Sequence, residues 1–180
     1  MKRFLFWLTS RLPCRIICDH DGTPYLERYY LFTLFGVRAY VHRFVASDPG
    51  RGLHDHPWPW AVSIVLSGFY FEETRSGVAQ VRWVNGLVGD SFHRVLLPNA
   101  AGSLSELNGS PNGRSRSCWT LFAHRAAYVK PWGFLRLSPD EDKTVWVPFN
   151  HPGNGVGTND PWWLRSPRGC AEPRRMPREE

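Results

Sequence analysis

The sequence predicts an all-β fold, an antiparallel sandwich or small barrel with little helix, and three observations support this. The 180-residue chain is interrupted by 16 Gly and 15 Pro, too often for long helices. The stretches between these breaks are rich in β-branched and aromatic residues, and aromatics alone make up 14% of the chain. These stretches are short and closely spaced, and each is bounded by turn formers.

In chain order, residues 1–12 place Leu5, Leu8 and Leu12 on one side of a short amphipathic helix. Strands are expected at Tyr25–Phe35, Val37–Val45, Ala61–Glu73, Val81–Val88, Phe92–Leu97, Cys118–Ala123, Gly133–Leu137 and Val145–Val147. Ser105–Ser117 contains Asn-Gly, Pro-Asn-Gly and alternating Arg-Ser, the composition of a long exposed loop. From His151 onward Gly, Pro, Asn and Arg dominate, and the last dozen residues are expected to be disordered. Trp162 and Trp163 stand apart in that tail: two exposed indoles are costly, so they should dock on the body or on a partner. The expected organisation is an N-terminal extension over 1–15, one domain over 16–150 and a tail over 151–180, a length that suits a single core.

At 42% hydrophobic and 21% charged residues the composition is globular. The net charge of +6 invites a nucleic-acid reading, but its distribution argues against one. Of 22 bases and 16 acids, residues 1–15 hold four bases and no acid, and residues 161–180 hold five Arg and three Glu, which leaves 13 of each between. A neutral body gives no polyanion-binding face, so no specific nucleic-acid partner is expected and the charged ends should be dispensable for the fold. No apolar run approaches the length of a membrane span, and Phe4–Leu8 is too short for a secretory leader. Cys14, Cys18, Cys118 and Cys170 form no CxxC pair and no zinc-finger spacing, so free thiols in a reducing cytoplasm are expected.

The most informative stretch is Gly50-Arg51-Gly52-Leu53-His54-Asp55-His56-Pro57-Trp58-Pro59-Trp60. On an extended strand, two His separated by one residue point to the same side, so both imidazoles can reach one metal ion. Trp58 and Trp60 are held rigidly by Pro57 and Pro59. They could stack on a planar or sugar-like substrate, plug a barrel or form a dimer contact.

Here the sequence resembles the cupin superfamily, whose first motif is G(X)5HxH(X)3-4E(X)6G. With four intervening residues the Glu slot falls on Ala61 and the closing Gly on Gly68, so the spacing fits and the glutamate is absent. The wider run is similar to a bacterial and phage cupin group that carries an LHDHPW motif. The matching segments are Asp21–Arg28, Val41-His42-Arg43-Phe44, Leu53–Trp58, Ser63–Glu72 and Trp132-Gly133-Phe134, spread over roughly residues 19–150. The resemblance implies a double-stranded β-helix (jelly roll) with any active site inside the barrel. The second cupin motif, G(X)5PxG(X)2H(X)3N, aligned on Pro98 puts Ser103 at the ligand His, whereas aligned on Gly89-Asp90 it leaves His93 as the nearest imidazole. Either Ser103 occupies the slot, or His93 completes a three-His face with His54 and His56.

The remaining His divide by position. His42 lies among aromatics and reads as a core residue, His124 ends a strand, and His20 and His151 fall in loops. Alternation from Ala61 turns Ser63, Val65, Ser67, Phe69, Phe71 and Glu73 inward and Glu72 outward, unless a bulge swaps the two glutamates. Arg28, Arg38 and Arg43 alternate with aromatics. An inward Arg would suit a carboxylate or phosphate, and Arg43 and Ser103 join Ser63, Trp58 and Trp60 as candidate substrate contacts.

The expected function is a small metal-dependent cupin enzyme with a divalent transition metal (Fe, Mn, Ni, Cu or Zn) on His54, His56 and His93. Its chemistry would be of dioxygenase or Lewis-acid type on a small, anionic substrate, because three neutral imidazoles leave the metal charge uncompensated. The alternative is a non-catalytic cupin, a binding module or phage accessory protein with a degenerate site. A third reading, a metal-free isomerase with His54 or His56 as base, needs an Asp to orient that His, and Asp55 is the adjacent one. A homodimer is expected, with the tail indoles as the surface to be covered.

Overall fold

The computed structural model describes residues 1–99, 103–104, 116–138, 143–149 and 161–170. Helix α1 (Lys2–Thr9) precedes strands β1 (Cys14–Cys18), β2 (Pro24–Leu34), β3 (Val37–Phe44), β4 (Trp60–Ser67), β5 (Tyr70–Thr74) and β6 (Gly77–Val81). Next come β7 (Val84–Val88), β8 (His93–Leu96), β9 (Cys118–Arg125), β10 (Gly133–Leu137) and β11 (Thr144–Pro148), with a 3-10 turn at Trp162–Leu164. The expected all-β architecture is present. β1 was not expected, and the expected strands Ala61–Glu73 and Val81–Val88 fall differently, as β4 with β5 and as β6 with β7.

Six strands form one antiparallel sheet in the order β1-β2-β3-β9-β4-β7. The second layer consists of β6-β5-β8 and the hairpin β10-β11, stitched together by a single residue: the His54 backbone pairs with His93 on β8 and with Phe134 on β10. The chain crosses between layers at Gly68, whose φ of +84° suits glycine and where a Cβ would lie 2.8 Å from the Ser117 carbonyl oxygen. That corner splits the long strand read from the sequence.

Side chains alternate across the large sheet. On β3, Arg38, Tyr40, His42 and Phe44 line an internal cavity, while Val41 joins a core on the opposite face with Leu5, Phe6, Tyr29 and Trp119. Helix α1 builds that second core by burying Leu5, Phe6 and Thr9, and Phe6 meets Trp119 edge-on at 5.2 Å. Residues of the expected N-terminal extension thus pack in this core.

The far end of the described chain is fixed to the same place. Cys14 and Cys170 form a disulfide with Cα atoms 5.2 Å apart, and Cys14 N donates to the Pro167 carbonyl at 2.9 Å. This corrects the expectation of four free thiols: Cys18 and Cys118 are free, but the other two are paired, which removes the observation behind a reducing cytoplasm. Of the two expected fates for the tail indoles, the structure takes the first. Trp163 stacks on Tyr30 at 4.3 Å and Trp162 on Tyr40 at 6.2 Å, so the chain covers its own indoles and they no longer call for a second copy. Most of the last dozen residues, expected to be disordered, and most of the Ser105–Ser117 loop lie outside the described residues.

Cross-linking residues 156 positions apart restricts the unfolded chain strongly. Cys14→Ser is accordingly expected to lower the unfolding free energy by about 2–5 kcal/mol. Denaturant titration of the oxidised parent and the variant measures it, and coincident midpoints would contradict it.

Candidate metal centre

The segment between β3 and β4 is held extended from both sides. His54 N donates to the His93 carbonyl at 2.9 Å, Asp55 N to the Gly133 carbonyl at 3.1 Å and His56 N to the Gly89 carbonyl at 3.3 Å. A Cβ on Gly52 would collide with the Leu135 carbonyl, so only glycine lets the segment lie this close to β10. Alternation then sends His54 and His56 into the cavity and Asp55 the other way. Asp55 is buried. It pairs with Lys130 at 2.7 Å and accepts the Gly133 amide at 2.6 Å, anchoring the β10–β11 hairpin. It therefore does not orient either neighbouring His, which removes the metal-free isomerase reading.

His93, at the start of β8, completes the cluster. One ring nitrogen from each of His54, His56 and His93 lies within 4.8 Å of the others. His93 Nδ1 donates to Glu72 Oε1 at 2.7 Å, which leaves its Nε2 facing His56 Nε2 at 2.8 Å. Asn85 Nδ2 also donates to Glu72 Oε1, at 2.6 Å. A carboxylate that fixes the tautomer and orientation of an imidazole in this way is the usual support for a metal-ligating His. Burial holds His54 and His56 well below the ordinary imidazole range, the nearby His93 adding to it, so both keep a free lone pair at neutral pH. The donor set fits a divalent transition metal.

The imidazoles open into a cavity of about 480 Å³ between the two sheets. Trp58 stacks on His56 with ring centroids 4.6 Å apart, and His42 packs flat on Phe122 at 4.8 Å. His124 donates through Nδ1 to the Arg125 carbonyl at 2.7 Å, and burial depresses its pKa to about 3. Two antiparallel layers enclose a cavity, with an HxH pair and a third His converging inside. The fold is a cupin-type jelly roll.

No protein family matches the chain at the level of sequence, and no curated protein matches it. Among solved structures, the cupin jelly roll is similar to a cupin 2 conserved barrel domain protein from Rhodopseudomonas palustris, with a TM-score of 0.48 and 11% identity over 69% of this chain and 78% of that one. It is also similar to a cupin-2 domain protein from Rhodospirillum rubrum, with a TM-score of 0.47 and 12% identity over 66% and 72% of the two chains. A DMSP lyase from Ruegeria pomeroyi is similar with a TM-score of 0.40 and 14% identity over 69% of this chain and 51% of that one. Scores and identities this low transfer no neighbour's chemistry.

Of the sequence-derived candidates, the structure brings His54, His56, His93, Trp58 and Ser63 to the cavity. Three others lie elsewhere. Arg43 turns to the opposite face of the sheet, where its Nη1 donates to Glu27 at 3.1 Å and its guanidinium lies over Phe6. Ser103 is an exposed loop residue that exchanges hydrogen bonds with Asn99, so it fills no ligand slot. Trp60 is 37% exposed and outside the lining.

Uninterrupted alternation from Ala61 turns Glu73 inward, but the structure places Glu72 there. A register shift between Val65 and Ser67, followed by the corner at Gly68, reverses the alternation, and Glu73 pairs instead with Arg94. Because β5 pairs Glu72 with Val95, His93 is its diagonal neighbour across the strands. Glu72→Gln is expected to weaken metal binding about 10–100-fold while leaving all three imidazoles in place. Competition with a chromophoric chelator measures it, and an unchanged affinity would remove Glu72 from the centre.

Proposed function

We propose that this chain is a small metal-dependent cupin enzyme that acts on a small anionic molecule inside the jelly roll. The observation that carries the reading is the convergence of three imidazole nitrogens within 4.8 Å of one another, backed by the Glu72–His93 hydrogen bond. His54, His56 and His93 would hold the ion. When bound, a divalent ion supplies Lewis acidity and coordination positions open to a ligand, the requirement common to hydrolytic, lyase and dioxygenase chemistry. The protein's own part is to hold His93 in one tautomer through Glu72, to keep His54 and His56 unprotonated by burial, and to place aromatic side chains such as Trp58, Phe122 and Trp132 around the chamber. Every one of these groups comes from a single chain, so the reading needs no second copy.

A non-catalytic cupin module is the second reading. It is favoured by Ala61, which stands where the motif carries a carboxylate and which packs in the apolar cluster of Tyr40, Trp58 and Phe122. Elemental analysis of the full chain purified without an affinity tag separates the first step of the two. One transition-metal ion per chain supports the enzyme reading, and a chain that neither carries nor takes up a metal overturns it. Oxygen consumption with candidate acids then tests the dioxygenase form specifically.

A further inference from the structure

Most cations in the described interior have a carboxylate partner. Arg43 pairs with Glu27, Arg94 with Glu73, Arg51 with Asp19, and Lys130 with Asp55 and Asp90. Arg28 and Arg38 differ. Both line the cavity, and no described carboxylate lies within ion-pair distance of either. Arg28 donates through Nε to His42 Nε2 at 3.2 Å and lies over Tyr40 at 5.4 Å. Arg38 donates through Nε to Thr33 Oγ1 at 3.2 Å and lies over Trp163 at 4.6 Å. Each guanidinium has five N–H donors in a fixed plane; the hydrogen bonds above use one from each, with the Tyr40 hydroxyl a further partner of Arg38.

We infer that Arg28 and Arg38 form an oxyanion subsite, and that the cavity's ligand is a small molecule bearing a carboxylate or phosphate on a flat apolar body.

Two guanidiniums in a partly dry chamber carry a desolvation cost that only an anion offsets well, and a planar fork binds both oxygens of such a group at once. Arg15 at the same cavity adds further positive charge. Among the described residues Asp48 is the one carboxylate of the lining, and it accepts the Val95 amide at 2.8 Å. The walls near Arg28 are flat, since Trp162 stacks with Tyr40 and Phe122 packs against His42, which suits a planar body. The two ends belong to one chamber, because Arg28 and Arg38 line the same cavity as His54, His56 and His93. A ligand anchored at Arg28 and Arg38 would thus extend its other end towards His54, His56 and His93. This last placement rests on the metal-centre reading, whereas the subsite itself stands on the two guanidiniums.

The test uses the full-length, metal-loaded protein in about 0.15 M salt, where non-specific attraction is screened. Calorimetric titrations with benzoate, phenyl phosphate and the neutral isostere benzamide are compared. At least one anion is expected to bind with 1:1 stoichiometry and benzamide about tenfold more weakly or worse, since hydrogen bonds to charged groups are worth about 10–100-fold in affinity. The preferred anion tells carboxylate from phosphate. Arg28→Gln and Arg38→Gln should each weaken the preferred anion by about tenfold or more, with Arg28→Lys intermediate because it keeps the charge and loses the fork. Should Arg28→Gln fail to fold, Arg38→Gln and the benzamide comparison decide the question. Absence of anion binding by the parent, equal binding of benzamide, or unchanged affinity in both folded Gln variants overturns the subsite. Arg-dependent anion binding that persists in His54→Ala/His56→Ala leaves the subsite standing even if the parent proves metal-free, so failure of either reading is seen separately.

Discussion

Replacing His54 and His56 together with Ala is expected to abolish stoichiometric binding of a divalent transition metal. Loss of a residue that merely orients a ligand typically costs about 10–100-fold, and removing two of three donors should exceed this, leaving His93 as an ordinary imidazole. Because both side chains line a chamber already about 480 Å³ in volume, truncating them should leave the packed cores intact. The double variant should therefore unfold in a cooperative transition like that of the parent. Calorimetric titration with Zn(II), Ni(II) and Mn(II) measures the binding, and a double variant that binds as tightly as the parent would refute the centre. His93→Ala examines the third donor alone and should also lose stoichiometric binding, since Ser103 is an exposed loop residue that cannot replace it.

The second large effect is a steep loss of stability in mild acid. His42 and His124 are buried, at 3% and 2% exposure, and burial lowers both imidazoles, His124 to about 3. A base with a depressed folded pKa binds its proton more readily when unfolded. Its contribution to stability is complete above the unfolded value near 6.5 and is lost as the pH falls from there towards the folded value. Each such group removes up to about 1.4 kcal/mol per pH unit in that window, so His124 alone removes roughly 2 kcal/mol between pH 6.5 and 4.5, and His42 acts in the same direction. Denaturant midpoints should accordingly fall from pH 7 to pH 5, and His124→Gln should flatten the slope. Equal midpoints at pH 7 and 4.5 would show that these imidazoles are not buried in the neutral form.

The legible and illegible parts of the fold differ in the distance over which their determinants act. His54 and His56 could be read because a two-residue period in an extended segment is local, and the Pro and Gly flanks mark that segment as extended. The strand spacing was legible for the same reason. Glu72 was misassigned because the shift at Val65–Ser67 and the turn at Gly68 change the alternation of the chain beyond them, and neither announces itself in composition. The arginines illustrate a second limit. Alternation along β3 separates Arg43 from Arg38 by parity, yet which parity faces the chamber is decided by helix α1, which covers the Arg43 side with Phe6. The Cys14–Cys170 pairing is set by the packing of segments 156 residues apart, and no spacing rule reaches that far.

That pairing makes residues 14–170 a covalent ring. A protease that cuts the ring once, anywhere along it, opens the chain without separating the pieces. The nicked protein should travel as one band on a gel run without reductant and as two once a thiol is added. Two cuts are needed to release a fragment. A single cut therefore costs this chain continuity of its backbone but not proximity of its parts, and the sheets on either side of the nick remain tethered at the concentration set by their own ring.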